Sequence, residues 1–497
     1  MLARVLPRAA WLTGVLVALA APSAARADIA VTGFTLIPAD NRAGNQTRID
    51  LHADFSTADP LRALVVHLPP GLVGNPLAVP RCPQSRFRDS TCPRETRVGT
   101  ASVSTTLPLA GSASGSVFNL EPGPGEPARL GVEVAPPAPL TATKLMVRVA
   151  LRADGGIDTA IDDIPSSLGA VRSVDLSLGG AYAPPFITLP TSCGPATTTI
   201  EAVAASGARG GASSAFTPLQ CERLPFAPEL SASMNRRGPA GARHNPALST
   251  QLVVPPGSAA IRRLGVTLPD RMGLDFSRRL AVCTVEQARA DACPDATRIG
   301  SAAAVTPVLV APLAGPIHMA AVEGSLLPAL RLSLGGAVQL RFQATTDVTT
   351  GVTTAFDGLP DLPLDRMALT FAAAGPLRVL GDPCTGTRLR MTMTATGHNG
   401  ATVAVPAPVR IRGCPIVVTG RRARGGLRLK VHRGRDAAKL RRVTVRVRHR
   451  TIRVRPARPR AGVTVRLRGR PRGSLRVSAI GTDGRRSTVR VKLAALR

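Results

Sequence analysis

The feature that most constrains this chain is a four-cysteine pattern written twice. Cys82 and Cys92 enclose nine residues, and so do Cys283 and Cys293, 201 positions later. Cys193 and Cys221 recur as Cys384 and Cys414, 191 and 193 positions on. Other residues keep similar offsets. Leu61-Arg62 and Leu68-Pro69 return as Ile261-Arg262 and Leu268-Pro269, and Thr96-Arg97-Val98-Gly99 as Thr297-Arg298-Ile299-Gly300. Pro108-Leu109-Ala110-Gly111 matches Pro312-Leu313-Ala314-Gly315, and Thr159-Ala160-Ile161-Asp162 matches Thr354-Ala355-Phe356-Asp357. The offset drifts between 191 and 204, as happens when loops change length and the elements between them do not. The chain is therefore read as two copies of one unit, residues 28–225 and 226–416, followed by a third segment, 417–497.

The first 27 residues carry Arg4 and Arg8, an apolar run from Ala9 to Ala21, Pro22, and Ala25-Arg26-Ala27. That order of charge, apolar stretch and small residues is a cleavable secretion signal, and the run is shorter than the ~20 residues that span a bilayer. The mature chain is expected to begin near Asp28 and to be extracellular, either secreted or cell-wall-associated. Two later uncharged stretches, Leu176 to Ile200 and Ile299 to Val322, are interrupted by prolines such as Pro190 and Pro312. Each proline removes a backbone donor that lipid cannot replace, so no transmembrane segment is expected in the mature chain.

In an exported chain an even set of cysteines ordinarily persists as disulfides. The repeat points to each copy closing its own: Cys82 to Cys92, Cys193 to Cys221, Cys283 to Cys293 and Cys384 to Cys414. Zinc is the alternative, but no CxxC occurs and the seven histidines do not gather near the cysteine pairs.

Short alternating or β-branched segments such as Leu64 to Leu68, Leu145 to Leu151, Val174 to Leu178, Leu252 to Val254 and Leu389 to Thr394 read as strands. Proline and glycine clusters punctuate them, and helical periodicity is rare. The expected fold class is all-β: tandem β-sandwich-like repeats with disulfides, plus a C-terminal arginine-rich sandwich.

Charge is uneven. Residues 415–497 hold 27 of the 63 Lys and Arg, against two of the 31 acidic residues, Asp436 and Asp483. Runs of like charge are commonly disordered, yet here Leu427, Leu429 and Val431 alternate with Arg428, Lys430 and His432. Val443, Val445 and Val447 alternate with Thr444, Arg446 and Arg448, and the same period continues to Leu493. Each strand then has an apolar face and a basic face. Guanidinium forks match phosphate and carboxylate, so Arg428, Lys430, Arg446, Arg448, Arg453, Arg455, Arg466 and Arg468 are the candidate polyanion-binding residues. Outside a cell the partners of that chemistry are anionic envelope polymers, with nucleic acid a partner only if extracellular. The competing reading is that arginine only keeps an outer face soluble. The one Trp, Trp11, lies in the signal and Tyr182 is the one tyrosine, which weighs against aromatic base- or sugar-stacking platforms.

No GxSxG elbow, HExxH, P-loop or dinucleotide glycine pattern occurs, and no catalytic residue, metal site or cofactor is assigned. Asp158, Asp162 and Asp163 crowd together as a calcium site or carboxylate pair would. Only Asp162 has an acidic counterpart in the second copy, Asp357, so a turn or strand-end role is expected. His67, matched by Thr267, is read as core or surface filler.

Leu68-Pro69-Pro70-Gly71-Leu72, Cys82-Pro83, Cys92-Pro93, Val98-Gly99-Thr100, Asp163-Ile164-Pro165 and Pro190-Thr191-Ser192-Cys193 together resemble an uncharacterised family of large secreted repeat proteins from high-GC actinobacteria. Leu475 to Leu493, around Gly481-Thr482-Asp483-Gly484, resembles the final hairpin of bacterial immunoglobulin-like modules. These resemblances imply export and repeat architecture and lend no reaction. The sequence thus favours a non-enzymatic structural or interaction protein. A binder of soluble polyanions or extracellular DNA is one rival, and a secreted hydrolase with a site between the repeats is another.

Overall fold

The computed structural model describes residues 29–493 apart from 58, 107–111, 136–140, 181–182, 184–185, 236–244, 276–279, 350, 374, 381–382, 386–387, 424, 435–436, 470 and 472. The expected secretion signal at residues 1–27, Tyr182 and Asp436 lie outside the described residues. No helix among the described residues is long and apolar enough to cross a membrane.

In the first repeat one sheet runs in the order β1 (Ala30–Pro38), β2 (Ile49–Ser56), β10 (Val171–Leu178), β5 (Arg97–Thr105), β6 (Ser112–Leu120), β7 (Ala128–Ala135), β8 (Thr143–Leu151), β9 (Ile157–Ile161), β3 (Leu61–Leu68), β12 (Ala196–Ala204), β13 (Arg209–Phe216). β4 (Val73–Gly74) and β11 (Ile187–Thr188) pair with each other. The second repeat has the same order: β14 (Glu229–Asn235), β15 (Leu248–Val253), β23 (Arg366–Phe371), β18 (Arg298–Val305), β19 (Leu313–Ala320), β20 (Ala329–Leu334), β21 (Leu340–Asp347), β22 (Thr353–Phe356), β16 (Ile261–Thr267), β25 (Arg390–Gly397), β26 (Thr402–Arg412). β17 (Met272–Leu274) and β24 (Leu377–Val379) form its small pair. The repeat is thus a duplicated topology, strand for strand.

Closure distinguishes the copies. In the second, β14 and β26 pair in parallel from Ala232↔Val409 to Asn235↔Arg412, and the eleven strands form a closed barrel. In the first, β1 and β13 approach through Leu36 N donating to Ser214 Oγ at 3.0 Å, and beyond the strands through Ala43 N donating to Leu219 O at 2.9 Å.

Two glycines show what the sheet requires at one place in both copies. A Cβ on Gly115 would meet Glu133 O at 1.7 Å, and one on Gly315 would meet Ser333 O at 1.7 Å. The ladders pair Gly115 with Ala101 and Gly315 with Ala302, so Gly315 corresponds to Gly115. The match of Pro108-Leu109-Ala110-Gly111 to Pro312-Leu313-Ala314-Gly315 is therefore out of register. Backbone approach, a property of the sheet, decides the equivalence, and residues 107–111 lie outside the described residues.

Period-two burial builds the cores. Along β2, Ile49, Leu51, Ala53 and Phe55 are buried; along β25, Met391, Met393 and Ala395. The short helices α1 (Gln84–Arg88) and α2 (Val285–Arg289) fill the loops closed by Cys82–Cys92 and Cys283–Cys293. Phe87 stacks edge-on to Phe118 at 6.1 Å under the first.

The C-terminal segment is a sandwich. β27 (Ile416–Ala423), β28 (Gly426–Arg433) and β31 (Gly462–Arg468) form one sheet. β30 (Arg450–Val454), β29 (Leu440–Val447), β32 (Ser474–Gly481) and β33 (Arg486–Lys492) form the other. Val418, Leu429, Val431, Val443, Val445, Val465, Val477 and Val491 are buried between them, so alternation rather than charge governs this segment.

Candidate polyanion surface and the joints between modules

The eight basic residues singled out by sequence divide between the two outer faces of the sandwich. Arg428, Lys430, Arg466 and Arg468 project from the three-stranded sheet, and Arg446 and Arg453 from the four-stranded one. Arg448 stands in the turn between β29 and β30 with φ 47°, and Arg455 lies just past β30. They do not form one patch.

Register organises each face. Arg421 pairs with Arg428, and Arg428 with Arg466, so three arginines lie directly across three strands. On the opposite face Arg446 pairs with Arg476, and Arg476 with Arg490. Neighbouring strands stand ~4.8 Å apart, so each row spaces its guanidinium stems at that interval. Like charges placed directly opposite destabilise a sheet, by up to ~1 kcal/mol per pair. Asp483, the one acidic residue described in this segment, sits at the tip of the last hairpin and accepts from Arg485 N at 3.1 Å. Neither row therefore has a carboxylate partner among the described residues of this segment. Sequence reasoning missed Arg421, Arg476 and Arg490, because their partners are set by cross-strand register.

The cysteines close as Cys82–Cys92, Cys193–Cys221, Cys283–Cys293 and Cys384–Cys414, each within its own copy. The longer loop of each copy ends where the next module starts. Cys221 opens the segment leading into the second repeat. Cys414 lies two residues before β27, and Val418 N donates to Cys384 O at 2.9 Å.

Between the repeats stands Asp361, 4% exposed. Its carboxylate accepts from Thr191 Oγ1 at 2.5 Å, Thr191 N at 2.8 Å and Ser192 N at 3.2 Å. Thr191 Oγ1 in turn accepts from Ala260 N at 3.1 Å. The Pro190-Thr191-Ser192-Cys193 string of the first copy is thus the socket for an acidic plug from the second. Its sequence signal was a break in internal symmetry, since Asp361 follows Leu359-Pro360 where Ser166 follows Ile164-Pro165.

The carboxylates that crowd together in sequence are separated by structure. Asp158 lies 2.7 Å from His67 Nδ1 and accepts from Arg152 Nη1 at 2.6 Å, whereas Asp162 accepts from Arg148 Nε at 2.6 Å. His67 and Asp158 are cross-strand partners, and at the same register in the second copy Thr267 and Thr353 lie 2.8 Å apart through their hydroxyls. His67 is thus half of a cross-strand polar pair that the second copy replaces as a unit, not mere filler. No three His, Cys, Asp or Glu among the described residues converge as a metal site.

On β2, His52 lies 2.7 Å from Asp175 and 3.0 Å from Asp54. Hydrogen bonding to Asp175, then to Asp54, raises its pKa above the ordinary histidine value. His318 is buried beside Thr297 Oγ1 at 2.8 Å, and desolvation lowers its pKa.

No family model matches the chain, and no curated protein matches it. Among solved structures it is similar to BcpA, the major pilin subunit of Bacillus cereus, at 9% identity over 81% of this chain and 92% of that chain, with a TM-score of 0.19. It is also similar to the C-terminal domain of the Streptococcus agalactiae AgI/II polypeptide BspA, at 10% identity over 76% and 98%, with a TM-score of 0.18. A third is the BSP domain of a biofilm associated protein, at 8% over 94% and 81%, with a TM-score of 0.17. Superpositions at TM-scores this low carry no argument about function.

Proposed function

We propose that this is a non-enzymatic extracellular or cell-wall-associated interaction protein. Its two disulfide-closed repeats act as a jointed spacer, and its basic sandwich binds anionic envelope polymers. The observation that carries the reading is the pair of arginine rows, Arg421-Arg428-Arg466 and Arg446-Arg476-Arg490, held in register without acidic partners among the described residues of the sandwich. A polymer of phosphates or carboxylates lying across a row would supply the missing counter-charge and relieve the repulsion. Because the rows face opposite ways, one molecule has surface for two polymer chains.

Four disulfides support an oxidising compartment. The His67–Asp158 contact supports a structural reading over hydrolysis, since the pair occupies a ladder position filled by Thr267 and Thr353 in the other copy.

Fractionation of the producing cells tests the proposal. Protein in the wall fraction, released by raised salt, is the expected result, because screening weakens exposed ionic contacts. Protein free in the medium at low salt, with no wall-bound pool, would overturn it and favour a soluble polyanion binder.

A further inference from the structure

The second-repeat barrel has eleven strands. Barrel diameter grows with strand number, and about eight strands already give an interior that side chains just fill or that holds one small ligand. Alternation points apolar residues inward. Leu340 and Phe342 face the interior while Arg341 and Gln343 are exposed, and Met367 and Leu369 do the same beside Arg366 and Thr370. This is the reverse of a membrane-embedded barrel, whose apolar band faces out.

Those inward side chains nonetheless stay only half-buried, as do Val266 and Leu330. The space they border forms two cavities of about 170 Å³ and about 230 Å³. Phe356 and Leu369 line both, so the two cavities adjoin at these side chains. Each cavity exceeds the ~150 Å³ engineered apolar cavity that stays dry and takes up benzene.

The lining selects the occupant. In the smaller cavity Thr306 is the lone polar side chain among apolar residues of β16, β21, β22 and β23, and Val73, Pro76, Val149 and Leu151 of the first repeat cover its mouth. A water needs two to four polar partners, which this wall does not offer. The larger cavity adds Thr250, Thr346, Thr354 and Asp275. Asp275 accepts from Asn245 Nδ2 at 3.0 Å and is 8% exposed. Arg378 Nη1 lies 4.0 Å from the same carboxylate, so the polar part of the wall is already ion-paired. Desolvating a further charge among the apolar side chains that make up the rest of the lining disfavours an anionic head group.

We infer that the barrel lumen binds one uncharged aliphatic chain, threaded past Phe356 from one cavity into the other. The source is either the tail of a neutral lipid or a free single-chain alcohol or hydrocarbon. The site lies mainly in the second repeat, with one wall of the smaller cavity supplied by the first, and is independent of the arginine rows.

The test is fluorescence titration of the full mature chain with N-phenyl-1-naphthylamine, a neutral probe, followed by competition. 1-Dodecanol is expected to displace the probe, and dodecanoate at pH 8 is not. Displacement by 1-dodecanol alone assigns a single-chain molecule, whereas displacement by dioctanoylglycerol as well assigns a lipid tail. Leu340→Trp fills the smaller cavity and is expected to weaken probe binding by about tenfold or more, a loss of ~1.4 kcal/mol. Leu326→Trp, at a fully exposed position, is expected to leave binding unchanged. A folded Leu340→Trp protein with wild-type affinity would overturn the inference. On the unaltered chain, failure of 1-dodecanol to displace the probe, or equal displacement by dodecanoate, would do the same.

Discussion

Asp361→Ala removes the plug between the repeats, and its cost follows from the contacts. The carboxylate accepts three hydrogen bonds, from Thr191 Oγ1, Thr191 N and Ser192 N, at 2.5 to 3.2 Å, and is 4% exposed. A hydrogen bond to a charged group contributes about 1.5–3 kcal/mol, and a buried donor left unsatisfied costs about 1–3 kcal/mol. Thr191 and Ser192 are only half-buried, so water partly replaces the acceptor. The net expectation is about 3 kcal/mol. For a transition shared by both repeats, about 390 residues at ~2.1 cal/mol/K each, one kcal/mol moves the midpoint by about 1.2 °C, which gives a drop of roughly 4 °C. Calorimetry should show the transition shared by the two repeats falling and splitting, and proteolysis should cut the connection around Leu224. Asp361→Asn keeps an acceptor oxygen for the two amides and should lose less than half as much. A melt for Asp361→Ala within about a degree of wild type, unsplit and equally protease-resistant, would refute a coupling role for this joint.

The longer disulfides should contribute more than the shorter ones. Loop separations of 28 and 30 against 10 give about 1 kcal/mol of extra chain-entropy stabilisation, so Cys384→Ser/Cys414→Ser should lower the urea midpoint more than Cys283→Ser/Cys293→Ser. The contribution of His52 should be pH-dependent: with its folded pKa raised, it is complete below the unfolded value of ~6.5 and is lost as pH rises through the folded value. Asp175→Asn should move the His52 NMR titration down toward ~6.5, and a titration that does not move would exclude the Asp175 contact as the cause. Gly315→Ala, which would drive a methyl into Ser333 O, should destabilise the second barrel by several kcal/mol in denaturant melts, whereas Gly425→Ala, which meets nothing nearby but has φ +75°, should cost only about 1 kcal/mol.

What the sequence reveals of this fold depends on how local each signal is. The cysteine spacing of the first copy recurs in the second, so duplication and pairing are readable without any structure. The basic segment is readable for the same reason, since its strands alternate cleanly from Leu427 to Val491. Other strands are hidden. β13 reads Arg-Gly-Gly-Ala-Ser-Ser-Ala-Phe and β6 begins Ser-Ala-Ser-Gly, compositions with weak strand preference that are held by their neighbours' ladders. β26 contains Pro406 and Pro408, which argue against a strand. Both precede Val409, where the parallel ladder to β14 begins, so neither proline owes that ladder a donor. Barrel closure, the arginine rows and the Asp361 socket depend on which distant segments meet. Asp361 and the His67/Asp158 exchange for Thr267/Thr353 left one trace each, a break in the internal symmetry.

The most direct test of the central claim is the salt dependence of binding to an anionic polymer, measured on residues 28–497 with long-chain inorganic polyphosphate. Neutralising phosphates releases counterions, so the logarithm of affinity falls linearly with the logarithm of salt, and each lost phosphate contact lowers that slope by about one. Arg421→Gln/Arg428→Gln/Arg466→Gln is expected to reduce the slope by about two to three while leaving the melting temperature unchanged or raised, since it removes opposed like charges. A wild-type chain that does not bind at low salt, or a triple variant with the same slope as wild type, would contradict the account.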